Sequence, residues 1–193
     1  MRRLVYLARH GETDWNDAGR WQGHTDVPLN DVGRGQARTL ATRLRGASLA
    51  AVVTSDLSRA AETGRIVATE LGVTVAYADH ALRERSFGVF EGLTREECET
   101  QHVGAWQAWL DRKVAPEGGE TQEALTVRMM VAVERVATAI ARPGAPALVV
   151  THGGALRAVV CAVTGTMPAP VKNGSLWTLT WDGRITTAEA IPG

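Results

Sequence analysis

Neither sign of charge is in excess in this 193-residue chain, because Lys+Arg and Asp+Glu each total 21. With no net field, nothing in the charge balance draws the chain to nucleic acid or to an anionic membrane surface. Cysteine is nearly absent. Cys98 and Cys161 are the only two, which supplies neither a disulfide framework nor a metal-ligand spacing and points to a reduced, cytoplasmic protein. Lysine is equally rare: Lys113 and Lys172 are the only ones among the 21 basic residues, so arginine carries no weight as a type and counts only by position. Long apolar runs are missing too. Five apolar residues separate Met1-Arg2-Arg3 from Arg9, too few for an export signal, and no later run nears the roughly 20 residues of a membrane span. No repeat, low-complexity tract or linker divides the chain, which predicts a single domain over residues 1–193.

What is present is an alternation of strand and helix patterns. Short apolar runs at 4–8, 51–54, 73–76 and 147–151 read as buried strands. Ala37, Leu40, Ala41 and Leu44 share one helical face, as do Ala60, Gly64, Val67 and Leu71, and again Leu156, Val159, Val160 and Val163. A longer amphipathic helix is expected over 120–142, stopped by Pro143-Gly144. Leu176–Trp181 and Ile185–Ala190 flank Asp182-Gly183 and predict a hairpin at a sheet edge. The alternation implies an α/β fold, a three-layer α/β/α sandwich on a mostly parallel sheet. The stretch 83–114, with Trp106 and Trp109, reads as a helical insert over the site, and simple packing accounts equally well for its tryptophans.

Two of the strand candidates end in reactive residues. Leu4–Ala8 runs into Arg9-His10-Gly11-Glu12, and Ala147–Thr151 runs into His152-Gly153-Gly154. Open α/β sheets bind ligands at the carboxyl ends of their strands, so two histidines placed there suggest one shared crevice. A guanidinium offers a planar fork of donors to phosphate oxygens, and a neutral imidazole is a nucleophile near neutral pH. Arg59 falls in the first turn of the helix that begins near Leu57, where helix geometry aims it back at the same strand ends. Gly153 and Gly154 let backbone approach a ligand and open a helix whose N-terminus favours anions.

The Arg9-His10-Gly11-Glu12 block and the late His152-Gly153 come with Thr54–Ala60, Leu82-Arg83-Glu84, Phe87-Gly88, Glu91-Gly92-Leu93 and Pro116–Glu120 between them. Taken in this order, the blocks resemble the histidine phosphatase superfamily, which includes the cofactor-dependent phosphoglycerate mutases. The resemblance implies a phosphoglycerate mutase-like fold and a transient phosphohistidine on His10. It implies that Arg9, Arg59 and His152 neutralise the phosphoryl oxygens, and that Asn16, Gln22 and Gly23 touch phosphate or substrate. Thr13 is a further candidate phosphate donor, and Gly153 joins the substrate-binding set. Glu84 is the expected general acid, since a carboxyl group in a partly dry site can protonate the leaving oxygen near neutral pH. Glu91 is its one serious rival by type. Glu96, Glu97 and Glu99 read as a solvated helix face, Arg65 as a solvated arginine, and His24, His80 and His102 as surface residues.

The chemistry so implied needs no metal and no cofactor, and the partner is a small phosphomonoester. Oligomeric state is open, with a homodimer as the state to test. Within the family, mutases typically carry asparagine where Gly154 stands and glutamine where Glu91 stands, and they are longer. The pattern therefore favours a phosphatase, with a phosphoglycerate mutase as the alternative and a non-catalytic phosphate-binding protein as a third reading. Phe90 replaces a tryptophan common in related phosphatases, which affects pocket shape alone.

Overall fold

The computed structural model describes residues 1–111 and 114–192. One sheet contains β1 (Arg3–Arg9), β2 (Ala51–Ser55), β3 (Val75–Asp79), β4 (Ala147–Thr151), β5 (Leu176–Trp181) and β6 (Ile185–Ile191), in the order β3-β2-β4-β1-β5-β6. The first four pair in parallel, β5 is antiparallel to β1, and β6 is antiparallel to β5. The helices are α1 (Asp14–Asp17), α2 (Asp31–Arg43), α3 (Ser58–Leu71), α4 (Arg95–Gln101), α5 (Val103–Leu110), α6 (Gln122–Ala139) and α7 (Gly153–Thr164).

Strand residues alternate between the two faces of the sheet, which sorts the core into two layers. Val5, Leu7, Val53 and Val149 pack with Leu125, Met129 and Val133 of α6 and with Leu156 and Val159 of α7. Ala8, Val52, Leu148 and Val150 pack with Leu40 and Ala41 of α2 and with Ala60 and Val67 of α3. The three-layer sandwich with a mostly parallel sheet is therefore the observed fold. At the closest approach of α3 to the sheet, a side chain on Gly64 would collide with Thr54 Cγ2. Close contact here keeps the first turn of α3, and Arg59 with it, against the strand ends.

β3 and α6 differ most in their boundaries from the sequence pattern. β3 starts at Val75, not Val73, because Gly72 closes α3 in a left-handed conformation (φ +65°) and the Val73 N–H is spent on Ala68 O. The chain joins the ladder only after that closure. α6 is shorter at both ends: the Thr121 hydroxyl caps it by accepting from Ala124 N, and Arg142 and Ala145 pair in the turn beyond it. The stretch before α6 contains α4 and α5, which bury Phe87, Phe90, Cys98 and Trp106 in a separate cluster joined by Trp21 and Trp109. Ring centroids of Trp21 and Phe87 are 4.7 Å apart, so the tryptophans do pack this segment onto the body. Among the described residues, no helix is long and apolar enough to cross a membrane.

Candidate active site

From β1 the chain goes through α2 towards β2, and from β4 through α7 towards β5, so the two connections leave on opposite faces. The carboxyl ends of β1 and β4 are thus a topological switch point, where such sheets open a crevice. Arg9 and Thr151 are in register, and His10 N–H donates to Thr151 O at 2.9 Å. His10 and His152 follow side by side, with ring centroids 5.0 Å apart. Arg59 arrives from the first turn of α3 and Glu84 from the loop after β3. All five line one cavity of about 370 Å3.

Burial decides the charge states. His10 Nδ1 lies 2.5 Å from Gly11 O. A carbonyl only accepts, so Nδ1 carries the proton and Nε2 keeps its lone pair. Burial, followed by the charges of Arg9 and Arg59, drives the His10 pKa well below the ordinary 6.5, which keeps the ring neutral. Burial likewise pulls Arg59 down to about 10, opposed by Glu84, and the guanidinium stays charged at neutral pH. It donates to Gly23 O (2.8 Å), Thr25 O (2.9 Å) and His152 Nδ1 (3.2 Å), leaving two of its five N–H groups for a ligand. Arg9 is anchored by one bond to Val171 O (2.7 Å), and its buried Nε has no partner among the described residues.

His152 lines the cavity with both ring nitrogens placed against protein partners. Its Nδ1 accepts from Arg59 and its Nε2 lies 2.9 Å from Ser55 Oγ, so both nitrogens are in use. Burial, then Arg59, holds it neutral. A direct bond from His152 to a ligand in the cavity needs one of these two partners to give way.

The N-terminus of α7 is also used differently. Gly154 N–H donates to Glu84 Oε2 (2.7 Å), and Ala155 N–H and Arg85 N–H donate to Oε1 (2.9 and 2.8 Å). The group held at that helix end is therefore the Glu84 side chain. A side chain at Gly154 would sit 2.6 Å from Glu84 Oε1, and one at Gly153 would sit 3.3 Å from Arg9 Nε. The two glycines make room for the Arg9 and Glu84 side chains.

Asn16, Gln22 and Gly23 line the cavity. Asn16 Oδ1 is fixed by Thr13 N–H (3.2 Å) and Asn173 Nδ2 (3.1 Å), and buried Gln22 Oε1 has no partner among the described residues. Thr13 does not line the cavity, since its hydroxyl caps α1 by accepting from Asn16 N–H. Glu91, the rival by type, is not among the residues lining the cavity. Burial alone would raise its pKa, but hydrogen bonds from Thr25, His24 and Phe87 hold the carboxyl below its usual range. It thereby shapes the 23–25 turn whose carbonyls grip Arg59. His24 is not a plain surface residue, because its Nε2 donates to Glu84 O at 2.9 Å, and His102 packs on Phe90 at 5.9 Å.

Sequence reasoning missed several supports. Asn173 donates to His10 O (3.1 Å), Thr63 Oγ1 accepts from Gly11 N–H (3.0 Å), and Arg128 donates to the carbonyls of Ala81, Arg83 and Glu84 while paired with Glu120. Arg128 left a trace: it falls beside Leu125, Met129 and Ala132 on the apolar face of α6.

The buried neutral histidines make acid sensitivity an expected property. Below pH 6.5 the unfolded chain protonates at His10 and His152 while the folded chain resists, so stability held at neutral pH is lost on acidification. The slope is about 1.4 kcal/mol per pH unit for each histidine. Thermal melts between about pH 7.5 and 5.5 should show the decline, and His10→Asn should roughly halve it. A pH-independent melting temperature across that window refutes it.

A family model described as histidine phosphatase superfamily (branch 1) matches residues 5–191. A glucosyl-3-phosphoglycerate phosphatase of Mycolicibacterium vanbaalenii is 36% identical, over 90% of this chain and 77% of its own length. A 2,3-bisphosphoglycerate-dependent phosphoglycerate mutase of Methylobacterium is 33% identical, over 92% of this chain and 88% of its own. A solved structure named mycobacterial hydrolase 1 superposes with a TM-score of 0.84 at 30% identity, covering 100% of this chain and 98% of that one. These similarities indicate phosphatase or mutase activity.

Proposed function

We propose that this chain, which belongs to the histidine phosphatase superfamily, hydrolyses a small phosphomonoester through a phosphohistidine on His10, without a metal and with Glu84 as general acid. The observation that carries this reading is the pairing of His10 Nδ1 with Gly11 O, which leaves the Nε2 lone pair as the nucleophile in a buried, arginine-flanked cavity. Nε2 attacks phosphorus in line as the bond to the leaving oxygen breaks. Arg9 Nε–H and the uncommitted N–H groups of Arg59 stabilise the charge on the phosphoryl oxygens. Glu84 Oε2 accepts only one N–H, so it retains a lone pair able to carry the proton given to the leaving alcohol. Water then attacks the phosphohistidine, returns a proton to Glu84 and releases phosphate.

Hydrolysis is favoured over mutase chemistry by the seat of Glu84. With glycine at 154 the carboxylate lies against the helix end, whereas a larger side chain there would displace it. A mutase has to hold its phosphorylated intermediate while excluding water, and a phosphatase has to admit water. The phosphatase name of the mycolicibacterial relative agrees with this reading, and the mutase name of the other keeps the alternative in view. One incubation separates them. With 3-phosphoglycerate and a trace of 2,3-bisphosphoglycerate, this protein should release phosphate or leave that substrate untouched while hydrolysing another phosphomonoester. Rapid formation of 2-phosphoglycerate with little phosphate released would reverse the assignment.

A further inference from the structure

Residues 81–84, the loop that ends in Glu84, lie outside every strand, so their carbonyls have no ladder to join and need other partners. Each has one. Arg128 of α6 donates through Nη1 to Ala81 O (3.0 Å) and Arg83 O (2.7 Å) and through Nη2 to Glu84 O (2.7 Å), while Thr151 Oγ1 donates to Leu82 O (2.7 Å). His24 Nε2–H is a second donor to Glu84 O, at 2.9 Å. The remaining N–H groups of Arg128 go to the Glu120 carboxylate, Nε to Oε1 and Nη2 to Oε2, both at 2.7 Å, so all five are spent. Arg59, by contrast, keeps two in reserve. Neither Arg128 nor Glu120 is among the residues lining the cavity.

Glu84 is therefore fixed at both ends. Its carboxylate is held by the N–H groups of Gly154, Ala155 and Arg85, and its backbone carbonyl by Arg128 and His24. Glu120 ties the far side of the same loop, since its N–H donates to Ser86 O (2.9 Å) and its carbonyl accepts from Arg85 Nε (2.6 Å). The anchor is rigid, because Leu125, Met129 and Val133 bury the same helix in the core. Two points of attachment fix the direction of the side chain between them. With the carbonyl end released, the carboxylate can turn about its α7 contacts and carry the free lone pair of Oε2 away from the leaving oxygen. A general acid works within hydrogen-bond reach of the oxygen it protonates, and a displacement of about 1 Å can cost about 100-fold.

We propose that Arg128, locked by Glu120, is a positioning residue for the proton-transfer step: it touches no substrate and sets where the Glu84 carboxyl group sits. Its loss acts on the leaving group and not on the phosphoryl clamp, because the tethers of Arg9 and Arg59 run to Val171, Gly23, Thr25 and His152. This inference rests on the reading of Glu84 as general acid given above.

Phenyl phosphate and p-nitrophenyl phosphate test it, since the two are close in shape and differ mainly in how far the leaving oxygen needs a proton. The readout is the ratio of their kcat/KM values, which reports the step that breaks the ester bond. Glu84→Gln should lower the phenyl to p-nitrophenyl ratio by about 10-fold or more, and Arg128→Met should lower it in the same direction by about 10-fold. Arg128→Lys should keep part of the ratio, because a single ammonium cannot span the carbonyls that the fork bridges. In the double variant Arg128→Met/Glu84→Gln the ratio should fall no further than in Glu84→Gln alone, as expected of two residues that act through one group. A merely structural role lowers both substrates together and leaves the ratio where it was. A ratio unmoved in Arg128→Met while Glu84→Gln lowers it overturns this inference and leaves the Glu84 reading standing. A ratio unmoved by Glu84→Gln overturns both, and absence of any turnover by the wild type overturns the phosphatase reading with them. Should Arg128→Met fail to fold, Glu120→Gln gives the second measurement: a smaller fall of the ratio in the same direction supports the inference, and an unmoved ratio overturns it.

Discussion

Replacing His10 with Ala is expected to lower turnover by roughly 10^4- to 10^6-fold, the scale seen when a nucleophile that forms a covalent intermediate is removed. His152, the other histidine among the described residues lining the cavity, is not expected to substitute. One of its ring nitrogens is engaged by the Arg59 guanidinium and the other by Ser55. Binding should survive better than turnover, because Arg9 and Arg59 approach the cavity from their own elements and the Arg59 tethers do not involve His10. The direct check is a labelled phosphomonoester mixed briefly with the wild type and quenched in alkali. A phosphoenzyme stable to base and labile to acid should appear, and should be missing from the His10→Ala protein. Label that resists acid, or that forms on the variant, places the covalent step elsewhere.

The second large effect concerns Glu84 and depends on the substrate used to measure it. General acid catalysis contributes about 100- to 10,000-fold when the leaving group is a poor one, and much less when it departs readily as a weak base. Glu84→Gln should therefore slow an alkyl phosphate by that factor, and p-nitrophenyl phosphate by about 10-fold or less. Some loss on both is expected for a structural reason. The carboxylate accepts from Gly154, Ala155 and Arg85, and an amide turns an NH2 towards at least one of those donors. Only the difference between the two substrates reports proton transfer. Equal slowing would make Glu84 a positioning group, and Glu91 would not replace it, since its two oxygens are committed to the 24–25 turn and Phe87.

What the sequence determined by itself is local. Arg9 and His10 follow an apolar run and His152 follows another, so strand patterns placed them at strand ends facing one crevice, while Arg59, one residue into its helix, was singled out by the family block together with helix geometry. The sandwich was legible for the same reason, because alternation within strands and helical spacing are short-range patterns that bury one face whatever the partner. Boundaries were less so: the start of β3 depends on how Gly72 and Val73 close α3, and the pattern of apolar residues does not record it.

Only the tertiary structure decided which atoms are left free at the cavity. The His10 tautomer follows from where the Gly11 carbonyl points, the working side of His152 from Arg59 and Ser55, and the occupant of the α7 N-terminus from a loop 70 residues earlier in the chain. Asn173 reaches His10 across 163 residues, and Arg128 reaches Glu84 across 44. Such contacts arise when separate elements dock on opposite faces of one sheet, where partners are chosen by geometry and by the cost of leaving a buried polar group unpaired. No spacing within a single element encodes that choice.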